Sequence, residues 1–130
     1  MSAPFQLLTV ATHQAQSLTP GVLVLTNDID AMTPSLEGIT RIDLSFPKFT
    51  DGRAYSQAFV LRRRRGFAGE IRATGDVLID QLEQMQRMGL SSAVLRADQD
   101  PAHAQRQLTR YPRHYQGDAV THHPLFREAL

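Results

Sequence analysis

Between Phe46 and Gln81 the chain places Asp51 and Arg53 in one turn, Glu70 and Arg72 two residues apart, and Asp76 directly after a glycine. A carboxylate can give or take a proton, and a planar guanidinium pairs bidentately with carboxylate, sulfate or phosphate. The spacing offers Asp51, Glu70 and Asp76 as acid/base candidates, with Arg53 and Arg72 as anion clamps. Residues two apart on a strand share a face, so Glu70 and Arg72 can also pair with each other. The same stretch holds the run Arg62 to Arg65. Consecutive helical residues splay over a full turn and cannot converge on one anion. With Ala58 and Leu61 taken as core, Arg62 and Arg65 lie at the edges of the apolar stripe, and Arg63 and Arg64 point outward. Such a run also sits favourably at the negative end of a helix dipole.

These residues need elements to hold them. Phe5 to Ala11 and Gly21 to Thr26 read as strands, and the unbroken apolar run Val22 to Leu25 predicts a strand covered on both faces of a parallel sheet. Thr33-Pro34 predicts a single helical turn to Glu37. Ile39 to Phe46 alternates, with Ile42, Leu44 and Phe46 on one side and Arg41, Asp43 and Ser45 on the other, so one face is polar or lines a cavity. Asp51 is placed to cap a helix from Gly52 to Arg65 that Gly66 ends. Glu70 to Thr74 is a strand, Asp76 is placed to cap a helix from Val77 to Met88 before Gly89, Ser92 to Arg96 is a strand, and Asp100-Pro101 opens a helix ending near Tyr111-Pro112. The tail from Tyr115 adds at most a short strand and then runs loosely over about 117–130. Strand and helix alternate with short connections, which predicts a single α/β domain over 1–130 with a mainly parallel sheet, an open three-layer sheet or alternatively a partial barrel. Ligands of such sheets bind beyond the carboxyl ends of the strands, where Asp51, Asp76, Asp98 and Asp100 fall. Each is also a favoured N-cap residue, so capping competes with chemistry at every one.

The chain has 130 residues and no cysteine, which removes disulfides, thiolate metal sites and thiol redox chemistry. Lys and Arg number 14 against 13 Asp and Glu, so no overall field gathers nucleic acid, and the basic and aromatic mix from Arg106 to Tyr115 reads as a charged terminal helix packed by tyrosines. The opening MSAPFQLLTVATHQAQ lacks a basic region and a long apolar run, which reads as a cytoplasmic address with no membrane segment. Neither GxGxxG nor GxxxxGK[ST] nor GxSxG occurs, so no nucleotide cofactor is evident. His122 and His123 are adjacent and point apart, without a set of metal ligands.

The stretch FPKFTDGRAYSQAFVLRRRRGFAGEIRATGDVLIDQ resembles the signature of a proteobacterial family of small uncharacterised proteins described as sulfite-reduction oxidoreductases. Their genes neighbour those for sulfite reductase and phosphoadenylylsulfate reductase. The matching positions include Asp51, Gly52, Arg53, Tyr55, Ser56, Arg62, Gly69, Glu70, Arg72, Gly75, Asp76 and Gln81, and weaker similarity runs from about Val22 to Gln116. After Arg87 the chain departs, with Met88-Gly89-Leu90-Ser91 where a cysteine-containing continuation is expected. The resemblance implies a role in sulfur assimilation and adds Ser56, Arg62 and Gln81 to Arg53 and Arg72 as ligand-binding candidates. Two readings follow: an accessory protein that binds sulfite reductase or a sulfate-activation enzyme through an Arg/Asp-rich surface, or an enzyme or binder for a small oxyanion. An oxidoreductase role would need a borrowed cofactor, a purely structural charge network is the third reading, and a homo-oligomer is compatible with all of them.

Overall fold

Thr9 opens the first helical turn by accepting a hydrogen bond from Thr12 N at 3.1 Å. That cap divides the N-terminal apolar stretch: β1 spans Gln6–Leu8 and α1 spans Val10–Ala15, so Val10 and Ala11 belong to a helix and not to the expected strand. The computed structural model describes residues 5–110 apart from Leu18 and Phe49. The expectations for Tyr111, Tyr115, His122-His123 and the tail over 117–130 lie outside the described residues.

The remaining strands are β2 (Val22–Leu25), β3 (Arg41–Phe46), β4 (Glu70–Gly75) and β5 (Ser92–Val94). Among the described residues they form, with β1, one five-stranded sheet in the order β1-β5-β4-β3-β2, with every neighbouring pair parallel. The expected α/β architecture is present, and the linear order leaves the sheet open rather than curled into a barrel. β2 corrects one expectation: its apolar run forms an edge strand, and Val24 is 61% exposed. Aliphatic residues favour extended backbone wherever the strand lies, so an unbroken run does not by itself report burial on both faces. Residues 34–37 form no helical turn. Asp30 O accepts from both Thr33 N and Thr33 Oγ1, which turns the intended cap back into an Asp-led loop.

α2 (Arg53–Phe59) continues into a π-helical turn at Val60–Arg64, closed by Arg65 N donating to Val60 O and ended by Gly66 at φ +65°. After β4 a 3-10 turn at Ile79–Gln81 leads into α3 (Leu82–Arg87), shorter than the expected Val77 to Met88, and α4 spans Pro101–Arg110. Strand alternation puts Ile42, Leu44, Ile71, Ala73 and Ala93 on one face, where they meet Ala54, Ala58 and Leu61 of α2 and Leu82 and Met85 of α3. Full burial of a side chain such as Phe46 or Leu44 contributes about 1.5–3 kcal/mol, so this face carries the core. α4 packs on α3, and its Ala104 joins the same core. The opposite face of the sheet carries Arg41, Asp43, Glu70, Arg72 and Ser92, and α1 reaches it through His13. No helix among the described residues is long and apolar enough to cross a membrane.

Candidate functional site

The turn after β3 holds the first candidate pair. Asp51 Oδ1 accepts from Arg53 N at 3.1 Å, while Arg53 Nη2 donates to Asp51 Oδ2 at 2.8 Å and Arg53 Nε to Oδ1 at 3.1 Å. Asn27, from the loop after β2, donates from Nδ2 to the same Oδ2 at 2.7 Å. Asp51 thus holds the first turn of α2 from one residue outside it, since Gly52 occupies the cap position. The Arg53 guanidinium, helped by Asn27, holds the Asp51 carboxyl at about 2. Beside this turn Thr26 Oγ1 donates to Asp28 Oδ1 and lowers that carboxyl too. The Arg53 side chain is 62% exposed, so this pair faces solvent at the carboxyl edge of the sheet.

Asp76 does not cap a helix. Its carboxylate pairs with Arg96 Nη1 at 2.5 Å, and the same guanidinium grips Asp98 through Nε and Nη2 at 2.6 and 2.7 Å. Arg96 holds the Asp98 carboxyl at about 2, and the two carboxylates raise Arg96. The helical segment starts later because Asp76 N donates to Phe46 O and Val77 enters the core, leaving Leu78 as the cap residue. Gln81 Oε1 accepts from Leu78 N at 3.3 Å, which gives this ligand candidate a capping contact. Asp100 does cap, accepting from Ala102 N at 3.0 Å.

Glu70 and Arg72 pair as their spacing allows, Arg72 Nε donating to Glu70 Oε2 at 2.8 Å. Around them the face is a connected polar layer. Ser92 Oγ donates to Glu70 Oε2 at 2.6 Å, and Arg41 binds both oxygens of Asp43 at 2.9 and 3.1 Å. Arg72 Nη1 lies 2.9 Å from His13 Nδ1, and His13 Nε2 lies 3.9 Å from Asp43 Oδ2. Arg41, Asp43, Arg72 and Ser92 are all buried. The polar side of β3 read from the sequence is therefore this layer.

The arginine run resolves into two inward and two outward side chains. Arg62 donates to the carbonyls of Gly89, Phe67 and Gly69, and burial lowers its pKa. Arg65 donates to Ala31 O and Pro34 O, tying down the loop after β2. Residues three apart in an α-helix point nearly the same way. The wider π turn opens the angle between Arg62 and Arg65 and lets them reach opposite flanks of α2. Arg63 stacks over the Phe59 ring at 5.6 Å, and Arg64 is exposed. Ser56 is exposed on α2.

The candidates divide into two places. Asp51 with Arg53, and Asp76 with Arg96 and Asp98, follow the carboxyl ends of the strands. Glu70 and Arg72 lie on the sheet face opposite α2, the helix that carries Arg53. His13, Asn27 and Arg96 belong to these clusters and were absent from the sequence-derived set, because the strand order brings His13 to Arg72, Asn27 to Asp51 and Arg96 to Asp76. The alternation around Asp43 was the one advance signal.

The family model described as bacterial protein of unknown function, DUF934, matches residues 22–126. No curated protein and no solved structure matches the chain.

Proposed function

We infer that this chain, which belongs to the DUF934 family of bacterial proteins of unknown function, is a cytoplasmic accessory protein of assimilatory sulfate and sulfite reduction. It docks on sulfite reductase or a sulfate-activation enzyme through the charged carboxyl edge of its sheet. The observation that carries this reading is the separation of Arg53 from Arg72. A catalytic centre needs its anion clamps and its acid/base group within hydrogen-bond reach of one reacting atom. Here Arg53 is 62% exposed beside Asp51, whereas Arg72 is 4% exposed on the far face of the sheet. An exposed array of alternating carboxylates and guanidiniums suits recognition of a protein surface, where such groups set orientation and encounter rate more than raw affinity. Because Asp51, itself held by Asn27, already fixes the Arg53 side chain, little side-chain entropy is lost when a partner engages it. Redox chemistry belongs to the partner and its cofactors. The sulfur pathway itself enters from the resemblance of residues 46–81 to the sulfite-reduction proteins.

Growth of a deletion strain on sulfate or sulfite as sole sulfur source tests this role. Wild-type chain restores growth and Arg53→Ala does not, at equal abundance; equal restoration removes Arg53 from the site. Thermal unfolding with sulfate, sulfite and adenosine phosphosulfate separates the oxyanion reading, since protection lost in Arg53→Ala would make the edge a small-anion site.

A further inference from the structure

α1 reaches the polar face of the sheet through the His13 ring. It contains no buried residue, and of its six side chains only His13 is not exposed. Beneath it lie Asp43 and Arg41 on β3 and Glu70 and Arg72 on β4, two carboxylates and two guanidiniums that pair with one another. An arginine only donates, so His13 Nδ1 accepts from Arg72 Nη1 and must carry its lone pair. The ring proton then sits on Nε2, on the side of Asp43, 3.9 Å from Oδ2.

We propose that His13 is a proton-operated latch: neutral, it seats α1 on the Arg41, Asp43, Glu70, Arg72 and Ser92 layer; protonated, it releases α1 and opens that layer to solvent. A proton on Nδ1 would face the N–H of Arg72, so the 2.9 Å contact cannot survive protonation. The attraction of Asp43 and Glu70 for the imidazolium is opposed by Arg72 and Arg41, and α1 contains no buried residue to hold it in place meanwhile. Burial is the main cause that pushes the ring below its ordinary 6.5; Asp43 and, more weakly, Glu70 pull it up, and the two arginines push it further down. The seated form, having the lower pKa, is fully favoured above about 6.5 and loses ground as pH falls from there through the lowered value. This latch is independent of the docking role assigned to Arg53, which lies on the other side of the sheet.

The test is a nitrogen-detected and amide NMR titration of the full chain from about pH 7.5 to about pH 5, above the ordinary range of the carboxylates. In the wild type, the His13 ring is expected as the Nε2–H tautomer at high pH. Its titration midpoint falls below 6.5, and the amides of residues 10–16 shift with the same midpoint while those of β3 remain in place. His13→Asn, which keeps an acceptor but cannot titrate, abolishes the α1 shift. A ring that titrates with no movement of α1, an Nδ1–H tautomer at high pH, or an equal α1 shift in His13→Asn would each overturn the latch. If His13→Asn fails to fold, the coincidence of the two wild-type midpoints decides alone.

Discussion

Arg53 and Arg72 occupy opposite sides of one sheet, the first on α2 at the carboxyl edge, the second on β4 beneath α1. Both pair with a carboxylate two residues away, yet their surroundings differ: Arg53 is held in solvent and Arg72 is sealed among Glu70, His13 and the strands. Placement within the sheet, and not residue type, separates the surface from the interior network.

The arginine run should split cleanly on mutation. Arg62→Ala leaves three carbonyls without their charged donor and costs about 2–3 kcal/mol, whereas Arg64→Ala stays within about 0.5 kcal/mol of wild type. Urea denaturation of both variants measures this. Equal losses would contradict the role of Arg62 as the donor to these three carbonyls.

The Arg41 and Asp43 pair is buried and bidentate, so removing one partner strands the other. Arg41→Met is expected to destabilise by about 3–5 kcal/mol, and the double variant Arg41→Met/Asp43→Leu to recover most of that loss. A double-mutant cycle in denaturant gives the coupling. A double variant no better than the single would show that the layer depends on these charges for more than mutual neutralisation.

Gly75 is required by both conformation and space. It sits at φ +96°, and a Cβ there would stand 2.5 Å from Phe46 O, against which β3 and β4 close at the carboxyl edge. Gly75→Ala is expected to cost at least about 2 kcal/mol, more than Gly66→Ala, which meets only the strain of its own positive φ. Thermal unfolding of the two variants ranks them.

The Asp51 carboxyl, held at about 2 by Arg53, keeps its contact well below the ordinary carboxylate range. Its folded value is depressed, so the contact is complete above about 3.8 and weakens only as pH falls toward 2. Carbon-detected titration of the Asp51 carboxyl should report that midpoint in the wild type and a higher one, still below 3.8, in Arg53→Ala, where the residue 53 N–H and Asn27 continue to donate.

Much of the architecture was legible from periodicity and punctuation. The alternation of Ile42, Leu44 and Phe46, the glycines at 66 and 89 and the Asp100-Pro101 opening all act locally and mean what they imply. The failures have a common cause in tertiary context. Val22 to Leu25 sits at an edge because β1 inserts beside β5, which no local pattern encodes. Asp76 lost its capping role to Arg96, an ion pair across 20 residues of sequence. The outward and inward arginines were readable from helical spacing, but the π turn that sends Arg62 and Arg65 apart was not. His13 carried no signal at all, standing in a polar stretch whose partners lie on strands far along the chain.

The docking claim is tested most directly by the binding of purified chain to purified sulfite reductase, measured in solution at low and high salt for wild type, Arg53→Ala and Arg64→Ala. A specific complex is predicted whose affinity falls at least about tenfold in Arg53→Ala, stays unchanged in Arg64→Ala and weakens with salt. The same comparison with a sulfate-activation enzyme identifies which of the two is the partner. Absence of a complex with both, or affinities that do not distinguish Arg53→Ala from wild type, would contradict the account.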